Sequence, residues 1–295
     1  MNEVNREKIV SELKSIPGLK GIVAYGGGDN ITESAILLYH VAGGLSNQEL
    51  EHVVHRLDDI EVPIHYKLRE IDSVVHAISD CLDGKITIKY ESGHPFGVVN
   101  SSYAAEIHYG RILWEAPDQL VTALKGKVSA QGEYPERLRQ ATIAYFMEEA
   151  TLALENGHSA AMQGGIHYAS GSFFQAACSW VQVIHALNRQ FLLSEKGGVK
   201  RANQLPISPK QFRVRVNQVY RYFAANNPTL AYCEIDMLEQ EMAVLVRTYA
   251  EKKKKKNVCL KSDERIIRVS NRTVVLNGCF FCNQSLIFVK SLSEC

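Results

Sequence analysis

Apolar residues at Ile9, Leu13 and Ile16, with Val10 beside them, recur at the spacing of one helical face. They predict a helix over Val4 to Ile16 that Pro17-Gly18 stops. Leu19 to Tyr25 then reads as a strand ending in Gly26-Gly27-Gly28, and a polar segment, Asp29 to Ser34, leads into a second strand from Ala35 to Tyr39. Asn47 to Leu57 sets Leu50, Val53, Val54 and Leu57 on one side of a helix, and Val62 to Leu68 alternates as a strand. A helix over Ile71 to Cys81, a strand over Lys85 to Tyr90 and a loop forced by Gly93-His94-Pro95-Phe96-Gly97 complete this half.

From Ala104 onward the period is mostly helical. Glu136 to Leu154 carries Leu138, Tyr145 and Leu152 among its apolar positions. The longest stripe, Phe173, Ala177, Trp180, Ile184, Leu187 and Phe191, alternates steps of four and three and predicts one helix ended by Gly197-Gly198, with the stripe packed as core. Ser208-Pro209 has the form of an N-cap followed by a first-turn proline, and Leu230 to Tyr249 predicts a last helix.

Composition narrows the classes. The 295 residues suffice for two domains with their own cores, and 46% hydrophobic against 22% charged residues is a globular balance. Lysine plus arginine (33) nearly equal aspartate plus glutamate (32), so no global field attracts nucleic acid or an anionic membrane. No run approaches the roughly 20 apolar residues of a membrane span, and the polar N-terminal residues lack a signal-peptide core, which predicts a cytoplasmic protein without membrane contact. Of seven cysteines, Cys81, Cys178 and Cys233 lie inside apolar patterns and read as reduced packing residues.

A strand ending in a triple glycine, a connector and a second strand form the phosphate-binding turn of polymerase-beta-like nucleotidyltransferases. Further stretches resemble the aminoglycoside-nucleotidyltransferase-like family in the same order: Ile71-Asp72-Ser73-Val74, Asp80-Cys81-Leu82, Thr87-Ile88-Lys89-Tyr90, Gly93 to Gly97, Leu113-Trp114, Val183-Ile184-His185-Ala186-Leu187-Asn188 and Ser194-Glu195-Lys196-Gly197. The resemblance spans about residues 19 to 250. It implies an α+β fold, with a polymerase-beta-like domain containing a mixed sheet over 1–115, a helical bundle over 116–250, and an atypical tail over 251–295.

The resemblance also implies a nucleotide site at Gly26, Gly27 and Gly28, where the family has Gly-Gly-Ser and Gly28 replaces the serine. The family's next strand carries two aspartates one residue apart to hold magnesium; the matching positions are Glu33 and Ala35. The third carboxylate position reads His65. Glu33 is thus the one retained motif carboxylate and the one metal ligand this carry-over supplies. One glutamate cannot bridge two ions, alanine has no ligand atom, and imidazole suits hard magnesium poorly.

Other readings stand beside these. The triple glycine also serves as a tight turn needing positive φ, Glu33 as a solvated residue before a strand, and Asp29 as a substitute ligand if the shortened connector swings inward. His65, His94, Glu195 and Lys196 are candidate cleft residues. Against this, His94 also fits a loop histidine bonded to backbone, and Glu195 and Lys196 fit a local helix-ending pair. His185 and Asn188 fall off the apolar stripe and so are placed toward an interdomain cleft.

After Tyr249 come Glu251, five lysines from Lys252 to Lys256 and a tail holding Cys259, Cys279, Cys282 and Cys295. Cys279 and Cys282 have zinc-ligand spacing, but the tail contains no histidine and no second close pair, which disfavours zinc. The lysines also fit a solvated helix end, a contact for acidic partners, or a slipped reading frame, and Asn277-Gly278 fits a hairpin turn.

The expectation is therefore a nucleotidyltransferase-like pseudoenzyme that binds a nucleotide, a small molecule or a partner, itself included. The alternative is an active enzyme using Mg2+ and a nucleoside triphosphate to move a nucleoside monophosphate onto a small-molecule hydroxyl.

Overall fold

The computed structural model describes residues 3–25, 34–44, 48, 51, 55, 64–129 and 134–249. Chain contacts divide it into Met1–Leu245 and Val246–Cys295. The described residues of the second unit, 246–249, are helical. The helix expected over Asn47 to Leu57, apart from isolated positions, lies outside the described residues, as do the tail, its cysteines and the proposed hairpin.

The first unit opens with α1 (Glu3–Leu13), β1 (Leu19–Tyr25), β2 (Ser34–His40) and β3 (Ile64–Glu70). α2 (Ile71–Leu82), the short strands β4 (Ile88–Lys89) and β5 (Val98–Val99), α3 (Ser101–Tyr109), β6 (Arg111–Glu115) and α4 (Leu120–Ser129) follow. The strand expected over Lys85 to Tyr90 shrinks to two residues paired with β5, and β6 is a strand that the helical period after Ala104 concealed.

The principal sheet has the order β3-β2-β1-β6. β1 runs antiparallel to β2 and β6, while β2 and β3 are parallel, so the sheet is mixed and the α+β expectation holds. Alternation along the strands sends Ile22, Ile36 and Leu38 to one face, where they pack with Ile9 and Leu13 of α1, and with Leu113. Each fully buried side chain of this size contributes about 2 kcal/mol. The opposite face, which includes Val23, Leu37, Tyr39 and Arg69, lies under α3 and α4.

Close approach of these layers explains two glycines. A Cβ on Gly21 would lie 2.5 Å from the Val121 side chain of α4, and one on Gly110 would lie 2.4 Å from that of Val23. An ion pair also joins the layers: Arg69 donates through Nε and Nη2 to both Glu106 carboxylate oxygens, at 2.9 and 2.7 Å. Burial alone would lower the Arg69 pKa, but the Glu106 carboxylate reverses this and raises it. Tyr39, fully buried nearby, is pushed up by burial and then by the Glu106 charge.

α5 (Glu136–Met162) and α6 (Ile166–Leu187) follow. They form an antiparallel hairpin, with Gly157 against Ser172 toward one end and Arg139 against Ala186 and Leu187 at the other. α7 (Gly198–Ala202), α8 (Phe212–Ala224) and α9 (residues 228–245) complete the unit. Phe173, Ala177, Trp180, Ile184 and Leu187 are buried, as their stripe predicts, but every residue from Ala176 to Leu187 is buried as well. From Ala176 onward the helix is enclosed on all sides, whereas its first half exposes His167, Tyr168, Gly171 and Gln175.

Several boundaries differ from expectation. α6 ends at Leu187, ten residues before Gly197, where Arg189 takes φ +56 and the Arg189 and Gln190 amides donate back to the carbonyls of Ala186 and His185. The Arg139 guanidinium caps this end by donating to the carbonyls of Ala186 (2.8 Å) and Leu187 (2.9 Å). A cation there also favours the negative end of the helix dipole. Phe191 lies beyond the helix yet remains buried against Tyr134, with ring centroids 4.7 Å apart. Ser208-Pro209 does not open a helix: α8 starts at Phe212 after Gln211 adopts φ +54. Of the three cysteines read as packing residues, Cys81 and Cys178 are buried but Cys233 is exposed.

Candidate functional site

The sheet end toward which β1 runs before the triple glycine is organised by register. Tyr25 pairs with Ala35 across β1 and β2, and Ala35 pairs with His65 across β2 and β3. Period-two alternation therefore places the three positions in one row on one face of the sheet. Gly26, Gly27, Gly28 and Glu33 lie outside the described residues.

The C-terminal end of α3 connects this sheet end to the helical part. Gly110 abuts Val23 of β1. Next to it, the Tyr109 hydroxyl donates to the Phe191 carbonyl at 3.2 Å, and the His108 ring lies 5.0 Å from that of Phe191. Lys125 of α4 donates to the Gly110 carbonyl. Burial, then the Lys125 charge, lowers the His108 pKa.

Beyond Phe191 the chain turns back into α7. Arg201 shapes that turn by donating to the carbonyls of Ser194 and, at 3.0 Å, Lys196. The Lys196 amide donates to the Ser194 hydroxyl at 3.1 Å, and Gly197 takes φ +71, a conformation that favours glycine. Glu195 faces inward: its Oε1 accepts from Gln182 Nε2 at 3.0 Å, and its Oε2 lies 3.7 Å from His94 Nε2. Burial raises the Glu195 pKa, against the opposing influence of His94, Gln182 and Arg201.

His94 reaches Glu195 from the 93–97 loop. Gly93 (φ +79) and Gly97 (φ +87) permit the reversal, and the Gly97 amide donates to the His94 carbonyl at 3.2 Å. Phe96 anchors the loop by stacking on Phe146 of α5, with centroids 6.1 Å apart.

The candidates of the sequence thus separate. His94 and Glu195, about a hundred positions apart, meet; Lys196 is exposed on the adjoining turn; His65 is a strand position beside Ala35. The cleft placement of His185 is corrected, because α6 is enclosed and burial, then the Arg201 charge, pushes its imidazole down to about 4. Asn188 is likewise structural, exchanging hydrogen bonds with the backbone of Ile207. Gln182, Arg201, Arg69 and Glu106 were missed, since nothing in the local pattern distinguishes them from solvated polar residues.

The donor chemistry in the row does not fit a pair of magnesium ions. Ala35 supplies no ligand and His65 supplies only imidazole. Among the described residues, no group of three or more His, Cys, Asp or Glu is placed to hold a metal. No described helix is long and apolar enough to cross a membrane.

No family model matches the chain, and no curated protein matches it. Among solved structures, a nucleotidyltransferase-like protein from Exiguobacterium sibiricum 255-15 is similar at a TM-score of 0.40 and 14% identity, over 84% of this chain and 78% of that one.

Proposed function

We propose that this protein is a nucleotidyltransferase-like binding module with little or no transfer activity. The observation that carries the reading is the pairing of Ala35 with His65, next to the strand end that leads into Gly26-Gly27-Gly28. Two of the three positions that the family resemblance assigns to carboxylates are thereby neighbours on one face, and neither bears a carboxylate. In this reading the glycine turn receives the phosphates of a nucleotide through backbone amides, a mode of binding that needs no magnesium pair.

Calorimetric titration with ATP and GTP, with and without magnesium, tests the reading against Glu33→Gln. The expected result is weak binding that neither magnesium nor the substitution alters by more than about twofold. Magnesium-dependent binding abolished in Glu33→Gln would favour the active enzyme instead and justify a substrate screen. Absence of binding at millimolar nucleotide would leave a partner-binding scaffold.

A further inference from the structure

We propose that His94 and Glu195 form a protonation-dependent clasp that fastens the 93–97 loop onto the segment following α6. The inference needs no nucleotide and is independent of the function proposed above.

The two halves of the pair differ in freedom. The Glu195 side chain is 8% exposed and held by Gln182, so it cannot turn away without leaving a buried amide unpaired. The His94 side chain is 32% exposed and rides on a loop with a positive-φ glycine at each end. A fixed, dry carboxylate therefore faces an adjustable, half-wet imidazole. Their 3.7 Å separation exceeds a hydrogen bond by a few tenths of an ångström, a gap that a small loop movement closes.

Protonating His94 sets a cationic N–H against the carboxylate and permits a charge-assisted bond of about 2.8 Å. It also gives Nδ1 a proton, and Nδ1 is buried without a partner, which limits the gain. The other groups facing Glu195 do not replace this contact. Gln182 is neutral, and burial pushes the Cys178 thiol up to about 12. Arg201 already donates to the carbonyls of Ser194 and Lys196. His185, which also faces Arg201, is neutral above about pH 4.

Three regimes follow. With His94 protonated and Glu195 ionised, an imidazolium meets a carboxylate and the clasp is closed. Deprotonating the imidazole removes the His94 charge and leaves Arg201 as the cation acting on the carboxylate; protonating Glu195 removes the carboxylate charge. Both changes loosen the loop, which is also tied by Phe96 on Phe146 and by a 3.4 Å hydrogen bond from Gln175 to the Pro95 carbonyl.

Hydrogen exchange of the full chain between pH 5 and 8 tests the clasp. Rates are corrected for intrinsic exchange, and peptides from α5 serve as the internal reference. The expected protection of the 91–99 segment is bell-shaped, with a maximum inside that range at least threefold above its value at pH 8. The bell should vanish in both His94→Gln and Glu195→Gln, and in wild type the NMR titration of the His94 ring should track its alkaline limb. A flat wild-type profile, a bell that persists in either variant, or a His94 titration unrelated to loop protection would overturn the proposal. The NMR comparison uses wild type alone, so it decides even if a variant fails to fold.

Discussion

Ala35 and His65 face each other as partners in the parallel register of β2 and β3. Their adjacency means that a change at either position acts on the same few ångströms of the sheet, next to the strand end that precedes Gly26-Gly27-Gly28 in the sequence. If the carboxylates of these positions are what an active relative uses, restoring them should restore a metal response. The double variant Ala35→Asp/His65→Asp should bind ATP at least tenfold more tightly with magnesium than without it, whereas the wild type should show no such difference. Calorimetry checks this, with circular dichroism confirming that the variant is folded.

Arg69 and Glu106 form a bidentate pair with side-chain exposures of 13% and 5%. Removing one member leaves the other charged and buried. Glu106→Leu should therefore destabilise by about 3–5 kcal/mol. Replacing both, as Arg69→Met/Glu106→Leu, should cost clearly less than the sum of the single changes. Urea unfolding of the four proteins of this cycle provides the measurement.

Arg139 is 1% exposed and caps the end of α6 from the start of α5. Burial, then the Arg189 charge, lowers its pKa to about 10, still well above neutral pH, so the cap remains cationic. Arg139→Ala should cost about 3 kcal/mol, the scale of two charge-assisted bonds to carbonyls at a buried helix end. Arg139→Lys should recover less than half of that loss, because an ammonium lacks the planar fork. Thermal unfolding at fixed pH would detect the difference.

His185 links stability to pH. Its folded value of about 4 lies below the ordinary 6.5, so the unfolded chain takes up the proton first as pH falls. The stabilisation is complete above 6.5 and is lost progressively down to about 4, for a total of about 3 kcal/mol. Glu195, whose pKa is raised, acts with the opposite sign: its contribution is present at acid pH and fades as pH rises through its folded value. Unfolding midpoints at pH 7.5 and 4.5 should therefore fall less on acidification in His185→Gln than in wild type. In Glu195→Gln they should fall more.

What could be read locally was largely the element pattern. Leu19 to Tyr25 and Ala35 to Tyr39 were legible as strands because each is a short apolar run, the mark of a strand buried on both faces whatever it pairs with. Ile71 to Cys81 and the stripe through Phe173 and Trp180 were legible as helices for the corresponding reason at a period of 3.6. β6 was not, since Arg111-Ile112-Leu113-Trp114 is too short to show a period and becomes a strand only by pairing with β1. In the site, His94 and Glu195 were candidates by resemblance, but Gln182 carried no signal, because its value lies in a bond to a residue one element away.

The sequence by itself determined most of the succession of strands and helices, the positions without carboxylates and the absence of a global charge bias. Each of these is a property of a residue or of a few neighbours. Only the tertiary structure decided that Ala35 lies beside His65, that α6 stops where Arg139 reaches it from 47 positions away, and that Arg69 is neutralised by Glu106. Those outcomes depend on which distant segments close against one another. Chain closure and burial set them, and no local period records them.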